Sequence, residues 1–361
     1  MTPLPGSFRL ARPLMAAALL GEFGCAGEAP SVPAEPAPVL QSQVSGTDQL
    51  LQAVSAVNDS VVWVSGHGGT WARTTDGGAT WTAATVPGAD TLQFRDVHAV
   101  SATTAYLLAA GPGEMSRIYK TTDAGADWDL QFLNPDPDGF YDCLDFWDAD
   151  HGAAYGDEVG GRLAILVTGD GGLTWTRVAA ERMPRAQAGE GGFAASGLCL
   201  VTGPDGLGWI ATGAADTARV LRTTDRGRNW TSAVTPVVAG ASAGLTAVSF
   251  RDRNHGIVLG GDLGIRDDYT DNVAVSDDGG RTWVLAGRPQ MKGAFYGGMY
   301  VPGVDRPWVV GVGPAGADYS TDNGRTWVAL DTLDYWSLGF SSPAAGWLVG
   351  PNGRITKVKM Y

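Results

Sequence analysis

SDDGGRTW, Ser276 to Trp283, is the stretch on which the reading of this chain turns. It recurs. TTDGGATW ends at Trp81, TTDAGADW at Trp128, TGDGGLTW at Trp175, TTDRGRNW at Trp230 and STDNGRTW at Trp327. All six copies fit Ser/Thr-x-Asp-x-Gly-x-Thr-Trp, with Asp127 and Asn229 in the Thr slot of two of them. Successive Trp positions differ by 47, 47, 55, 53 and 44 residues. A period near 50 with turn chemistry in every copy is the signature of a β-propeller or a similar array. The aspartates Asp76, Asp123, Asp170, Asp225, Asp278 and Asp322 are placed to accept hydrogen bonds from their own turn. The glycine two residues on supplies the positive φ that a tight hairpin needs. The Trp then opens a strand and can bury a large apolar area against a neighbouring unit. These six aspartates are read as structural.

Around each copy lie four short apolar runs punctuated by Gly, Pro, Asp and Asn. The second unit runs FRDVHAVS (94–101), TAYLLAAG (104–111), RIYKTTD (117–123) and DWDLQFL (127–133). The fourth opens on SGLCLVTG (196–203). After Trp327 only three such runs remain, and PVLQSQVS (38–45) has no unit of its own. The expectation is therefore an all-β chain, a seven-bladed propeller of four-stranded blades over 38–361. Its last blade is completed by the N-terminal strand, which closes the ring and hides its edges. A solenoid would need polar capping units, and the terminal runs here are apolar.

The motif resembles the Asp-box, or bacterial neuraminidase repeat. That resemblance implies a hairpin between the third and fourth strands of each blade, away from any active site. The whole repeat pattern, over roughly 38–361, is similar to the photosystem II assembly and stability factor-like proteins. For those the resemblance implies a seven-bladed scaffold that holds partner proteins, with an Arg-rich patch implicated. This chain carries no comparable basic run.

The 361 residues carry a net charge of −13 and only four lysines, Lys120, Lys292, Lys357 and Lys359. That balance argues against nucleic acid as a partner, because phosphate binding needs dense Lys and Arg. Residues 1–25 read as an export leader: Arg9 and Arg12 precede the apolar run Leu14 to Leu20, with Gly24 and Cys25 following. Cys25 is a lipidation candidate, although Glu22 stands where a lipobox has an aliphatic residue. Residues 26–37, rich in Pro, Ala and Glu, read as a tether. Localisation is thus expected to be periplasmic or extracellular, with contact to a membrane only through lipid at Cys25. The propeller itself is expected to be a monomer. Cys143 and Cys199 sit in apolar runs of different units. They read as two buried thiols, with a single disulfide as the alternative.

Function should collect on the face opposite the hairpins, where the loops are long and irregular. Asp157 and Asp262 each end a second strand after Gly, and Glu190 lies in a long Gly-rich connection, so all three are candidates for the channel mouth. Asp142 and Asp145 are expected to line the channel, and Tyr296 to face a ligand there. These six are the ligand-binding candidates. His151 and His255 read as turn residues. No dinucleotide fingerprint, CxxC or clustered His and Cys points to a cofactor or metal. GGDLGIRDDYTDN (260–272) is acidic but lacks the alternating ligand spacing of a calcium loop. The primary expectation is a binding or assembly scaffold for a protein, small molecule or glycan. The alternative is a glycoside hydrolase using Asp157, Glu190 and Asp262, since such enzymes need two carboxyls flanking the scissile bond. A sialidase would further need an Arg cluster and a Tyr nucleophile, and the early Arg-Ile-Pro motif of sialidases is absent.

Overall fold

The computed structural model describes residues 37–361, and the leader, Cys25 and most of the tether lie outside the described residues. Twenty-eight strands form seven four-stranded antiparallel sheets. Strand β1 is Val39–Val44. Blade 1 is β2–β5 (Leu51–Ala56, Val62–Gly66, Thr70–Thr74, Thr82–Thr85) and blade 2 is β6–β9 (Phe94–Ala99, Ala105–Ala109, Arg117–Thr121, Asp129–Leu133). Blade 3 is β10–β13 (Tyr141–Phe146, Gly152–Val159, Arg162–Thr168, Thr176–Arg177) and blade 4 is β14–β17 (Leu200–Thr202, Gly208–Ala211, Arg219–Thr223, Thr231–Val234). Blade 5 is β18–β21 (Ala243–Phe250, Gly256–Asp262, Val273–Ser276, Val284–Leu285) and blade 6 is β22–β25 (Gly297–Tyr300, Val309–Gly313, Gly316–Ser320, Val328–Asp331). Blade 7 joins β26–β28 (Ser337–Ser342, Ala345–Gly350, Arg354–Lys359) to β1 in the order β1-β28-β27-β26.

Ring closure follows the expected route. Strand β1 pairs antiparallel with β28 from Val39 opposite Lys359 to Val44 opposite Arg354. Side chains then tie blade 7 to blade 1. Lys357 Nζ donates to the Gly77 carbonyl at 2.8 Å, the Trp81 indole donates to Gln43 Oε1 at 3.1 Å, and Ser341 Oγ donates to Asp59 at 2.7 Å.

Each repeated hairpin is built the same way. The Ser or Thr hydroxyl bonds the Asp at 2.7–2.9 Å. The same carboxylate accepts the backbone N–H four residues on at 2.8–3.0 Å. In five copies its second oxygen also takes the Thr hydroxyl or the Asn229 amide at 2.6–2.7 Å. The sixth copy has Asp127 in that slot, which brings no side-chain donor, and Asp123 keeps the backbone bond. The residue after each Asp has positive φ, and in three copies it is not glycine: Ala124 (72°), Arg226 (59°) and Asn323 (66°). Its N–H bonds the first-to-second-strand turn of the same blade, as Gly279 does to the Asn254 carbonyl at 2.7 Å. Hairpins and first-to-second turns therefore share one face.

The motif tryptophans pack against the preceding blade. Trp128 meets Trp63 and Trp71 of blade 1 at ring separations of 6.2 and 5.9 Å. Trp283 meets Phe250, which stacks on Trp209 of blade 4 at 3.7 Å. The core is thus a series of interblade layers rather than one central mass.

Two sequence-based expectations need correction. Cys143 and Cys199 form a disulfide across blades 3 and 4, with Cα atoms 6.1 Å apart. Sequence spacing could not show that the innermost strands of adjacent blades bring these residues side by side. The opening run of blade 4 is also not a full strand: only Leu200–Thr202 pairs. Positive φ at Ala194 (42°) and Gly197 (76°) bends the chain before it. Residues 195–198 instead cross the axis of the ring. The Ser196 carbonyl accepts Ser337 Oγ of blade 7 at 2.8 Å, and the Leu198 carbonyl accepts the Val248 N–H of blade 5 at 3.0 Å. A Cβ on Gly197 would lie 2.3 Å from an Asp96 oxygen of blade 2 and 3.4 Å from Ala53 of blade 1. Blade 4 thus supplies a plug that touches the inner strands of four other blades.

Candidate functional site

The loop face begins where inner strands start and second strands end. Strand β10 carries a bulge between Tyr141 and Cys143, which turns Asp142 out of the regular alternation. Asp142 is 1% exposed, and neither of its oxygens has a donor. It faces Asp157 at the end of β11, close enough for the two carboxyls to share a hydrogen bond. Two carboxylates offer only acceptors, so this contact requires one proton between them. Burial, then Asp157, holds Asp142 well above the ordinary carboxyl range, against the pull of Arg95. Burial likewise pushes Asp157 up to about 6, against the Gly192 N–H that it accepts at 3.0 Å. Gly191 and Gly192 lie directly on the pair. A Cβ at either would fall 1.9 Å from Asp157 Oδ1 or 2.6 Å from Asp142 Cγ.

Glu190, next along the same connection, is fully buried. Its carboxylate takes both Nε and Nη2 of Arg219 at 2.5 Å, Thr212 Oγ1 at 2.9 Å and the Gln187 N–H at 2.9 Å. All of its acceptor capacity goes to holding residues 187–190 on blade 4. Asp262, on blade 5, accepts Ser242 Oγ and the Gly264 N–H, both at 2.8 Å, and so shapes its own loop. Asp157 and Glu190 are thus neighbours through the diglycine, and Asp262 has its own separate contacts.

Asp145 lies nearer the hairpin face. It accepts His98 Nδ1 at 2.8 Å and the Thr202 N–H at 2.7 Å, joining blades 2, 3 and 4. Both side chains line an axial cavity of about 180 Å³ on the hairpin side of the plug, with Asp96, Ser55 and Phe340. Asp96 is buried, and that burial raises it well above the ordinary carboxyl range despite the N–H it accepts from Leu144. Similar bonds between inner strands recur as Ser55 to the Ala99 N–H and Ser249 to the Tyr300 N–H, so Asp145 belongs to an axial girdle. His151 and His255 bond Asp148 and Asp252 within their own turns.

Tyr296 stands in the connection between blades 5 and 6. Its ring packs edge-on against Trp336 at 5.0 Å. Burial raises its phenol, with Arg266 opposing. It floors a loop-face hollow of about 220 Å³ whose walls include Leu263, Arg266, Asp267 and Lys292.

Sequence reasoning missed the partners: His98 for Asp145, Arg219 for Glu190, and the diglycine for Asp157. The GEGG run (189–192) was the one local signal, since paired glycines mark close backbone approach. Among the described residues no group of three or more His, Cys, Asp or Glu side chains is arranged to hold a metal ion.

No family model matches the chain, and no curated protein matches it in sequence. Solved structures do resemble it. A structure described as YCF48 bound to D1 peptide superposes with a TM-score of 0.60 at 18% identity, covering 89% of this chain and 97% of that one. YCF48 from Cyanidioschyzon merolae gives 0.62 at 16% identity, covering 89% and 98%. The WD40 propeller domain of Doa1 gives 0.57 at 14% identity, covering 90% and 98%. At these identities the likeness is one of fold: the chain is similar over nearly its whole described length to complete propellers of diverse kinds.

Proposed function

We propose that this protein is an exported, non-enzymatic propeller that binds a protein partner on its loop-rich face. The observation that carries this reading is the fate of the loop-face carboxyls. Asp142 is sealed from water against Asp157, with Gly191 and Gly192 lying on the pair, so it is not open to a substrate. Glu190 is consumed by Arg219. The axis behind them is crossed by residues 195–198, which are bonded to blades 5 and 7. What remains is a broad rim of irregular loops on a rigid ring, which suits recognition of another macromolecule. The YCF48 propeller solved with a D1 peptide is a precedent for this fold taking a protein segment. Export is supported by the Cys143–Cys199 bridge, since such bonds persist in oxidising compartments.

Photocrosslinkers placed at Asp138 and Arg288 on the loop face, and at Leu173 and Arg253 on the hairpin face, test the reading in cells. Discrete protein adducts from the first pair alone are expected. Adducts from neither loop position would end it. So would turnover of any glycan that Asp157→Asn abolishes while the fold persists. Mass spectrometry of the mature N-terminus checks export and the state of Cys25.

A further inference from the structure

The hollow lined by Tyr296 differs from the carboxyl-lined mouth in the sign of its charge. The loop that follows β19 packs against the end of the blade 5–blade 6 connection, where the Gly293 N–H bonds the Asp268 carbonyl. Leu263 and Ile265 then stand across from Ala294, Pro314 and Ala315, and Tyr296 closes the floor. Its volume of about 220 Å³ equals that of roughly seven waters at ~30 Å³ each, the size of one amino-acid side chain and its backbone carboxyl. Two cations, Arg266 and Lys292, line it against one carboxylate, Asp267, leaving one net positive charge among the lining residues, while Asp334 interacts with Arg266 from outside the lining. Neither cation forms a salt bridge or hydrogen bond with a described residue. Lys292 Nζ lies 5.8 Å from the centre of the Tyr269 ring, whose other neighbour is the Arg288 guanidinium at 4.5 Å. Apolar walls, a phenol at the floor and a single surplus positive charge together define a ligand class.

We infer that this hollow binds a carboxylate carried on a short apolar body, either a free acid or the end of a protein chain. The charge goes to Arg266 and Lys292, the apolar part rests on Leu263 and Ala294, and the Tyr296 hydroxyl faces the ligand. A single surplus charge disfavours dianions such as phosphate, which Asp267 would repel. This rests on the loop face being the working surface, but it concerns a site apart from the channel mouth.

Calorimetric titration of the exported chain tests it with five probes: 4-methylvalerate, its amide, inorganic phosphate, an N-acetylated hexapeptide ending in Leu, and that peptide amidated. Binding of the two carboxylates but not of their amides or phosphate is expected. Arg266→Ala with Lys292→Ala should weaken it by about tenfold or more, since both charge contacts to the carboxylate are lost. Arg253→Ala, on the hairpin face, should bind as the parent chain does. Tighter binding of the peptide identifies a chain terminus as the source, and equal or tighter binding of the free acid identifies a small molecule. Equal binding of the amides, preference for phosphate, or indifference to the double substitution overturns the assignment. So does absence of binding by any carboxylate. Loop-face protein adducts that persist in the double variant would leave the scaffold reading standing while this site falls.

Discussion

The hairpin face and the loop face use the same residue in opposite ways. Asp76 in a hairpin is fully solvated and takes bonds from the Thr80 hydroxyl, the Thr80 N–H and the Thr74 hydroxyl, which lower it to about 2. Asp142 at the loop face is sealed from water, and burial drives it far the other way. One carboxylate organises a turn by collecting N–H and O–H groups. The other survives burial by sharing a proton with Asp157. Donor count and access to water decide which. The hairpins are therefore stiff repeated staples, and the loop face holds its charges under constraint.

The most damaging way to break this contrast is at Glu190. Glu190→Gln leaves Arg219 buried without its anion and should cost about 3–5 kcal/mol in urea unfolding. A loss under 1 kcal/mol would mean that residues 187–190 are not held on blade 4 through this pair.

Next comes the proton between Asp142 and Asp157. Folded-state values above the unfolded one mean stability that is full below pH ~4 and lost as pH rises through about 6. Asp142→Asn supplies a permanent donor. It should gain about 2 kcal/mol over the parent chain at pH 8 and little at pH 4. The hairpin carboxylates act in the other direction. Their lowered values give stability that is present above pH ~4 and lost as pH falls toward about 2. The parent chain should therefore melt highest near pH 4–6, and a maximum above pH 8 would contradict the shared proton.

A smaller effect is expected at a hairpin. Asp278→Ala removes the acceptor for Ser276, Arg281 and Thr282. It should cost about 1–2 kcal/mol, limited by solvent access to the freed groups. The matching change at Asp123 should cost less, because Asp127 offers no side-chain donor. Smallest of all is Ala124→Gly, at a left-handed position where three sister hairpins already use glycine. Relief of strain should slightly exceed the added chain entropy, for a gain of about 0.5 kcal/mol in thermal unfolding.

Much of the architecture was legible because it repeats. Six Asp-Gly hairpins at near-regular spacing, a final unit short of one strand and an orphan strand at 38–45 were enough to count blades and close the ring. The candidate site was only half legible. Asp157 and Glu190 were candidates from strand order and loop composition alone, and the diglycine 191–192 makes them neighbours. The sequence carried no sign that Asp142 would face the one and Arg219 would claim the other. The Cys143–Cys199 bridge was hidden for the same reason, because adjacency of inner strands is a property of the closed ring.

What the chain order alone determined are features set within a turn or a strand pair: hairpin geometry, strand count, and the join of β1 to β28. Hairpins and strand count depend on φ preferences and on hydrogen bonds between residues a few positions apart, repeated often enough to be read, and the join of β1 to β28 follows from the count because the last unit is one strand short. What only the tertiary structure decided is the chemical state of each loop-face group and the filling of the axis by residues 195–198. Those depend on which blades meet at the centre and how much water they exclude, and no local pattern encodes either.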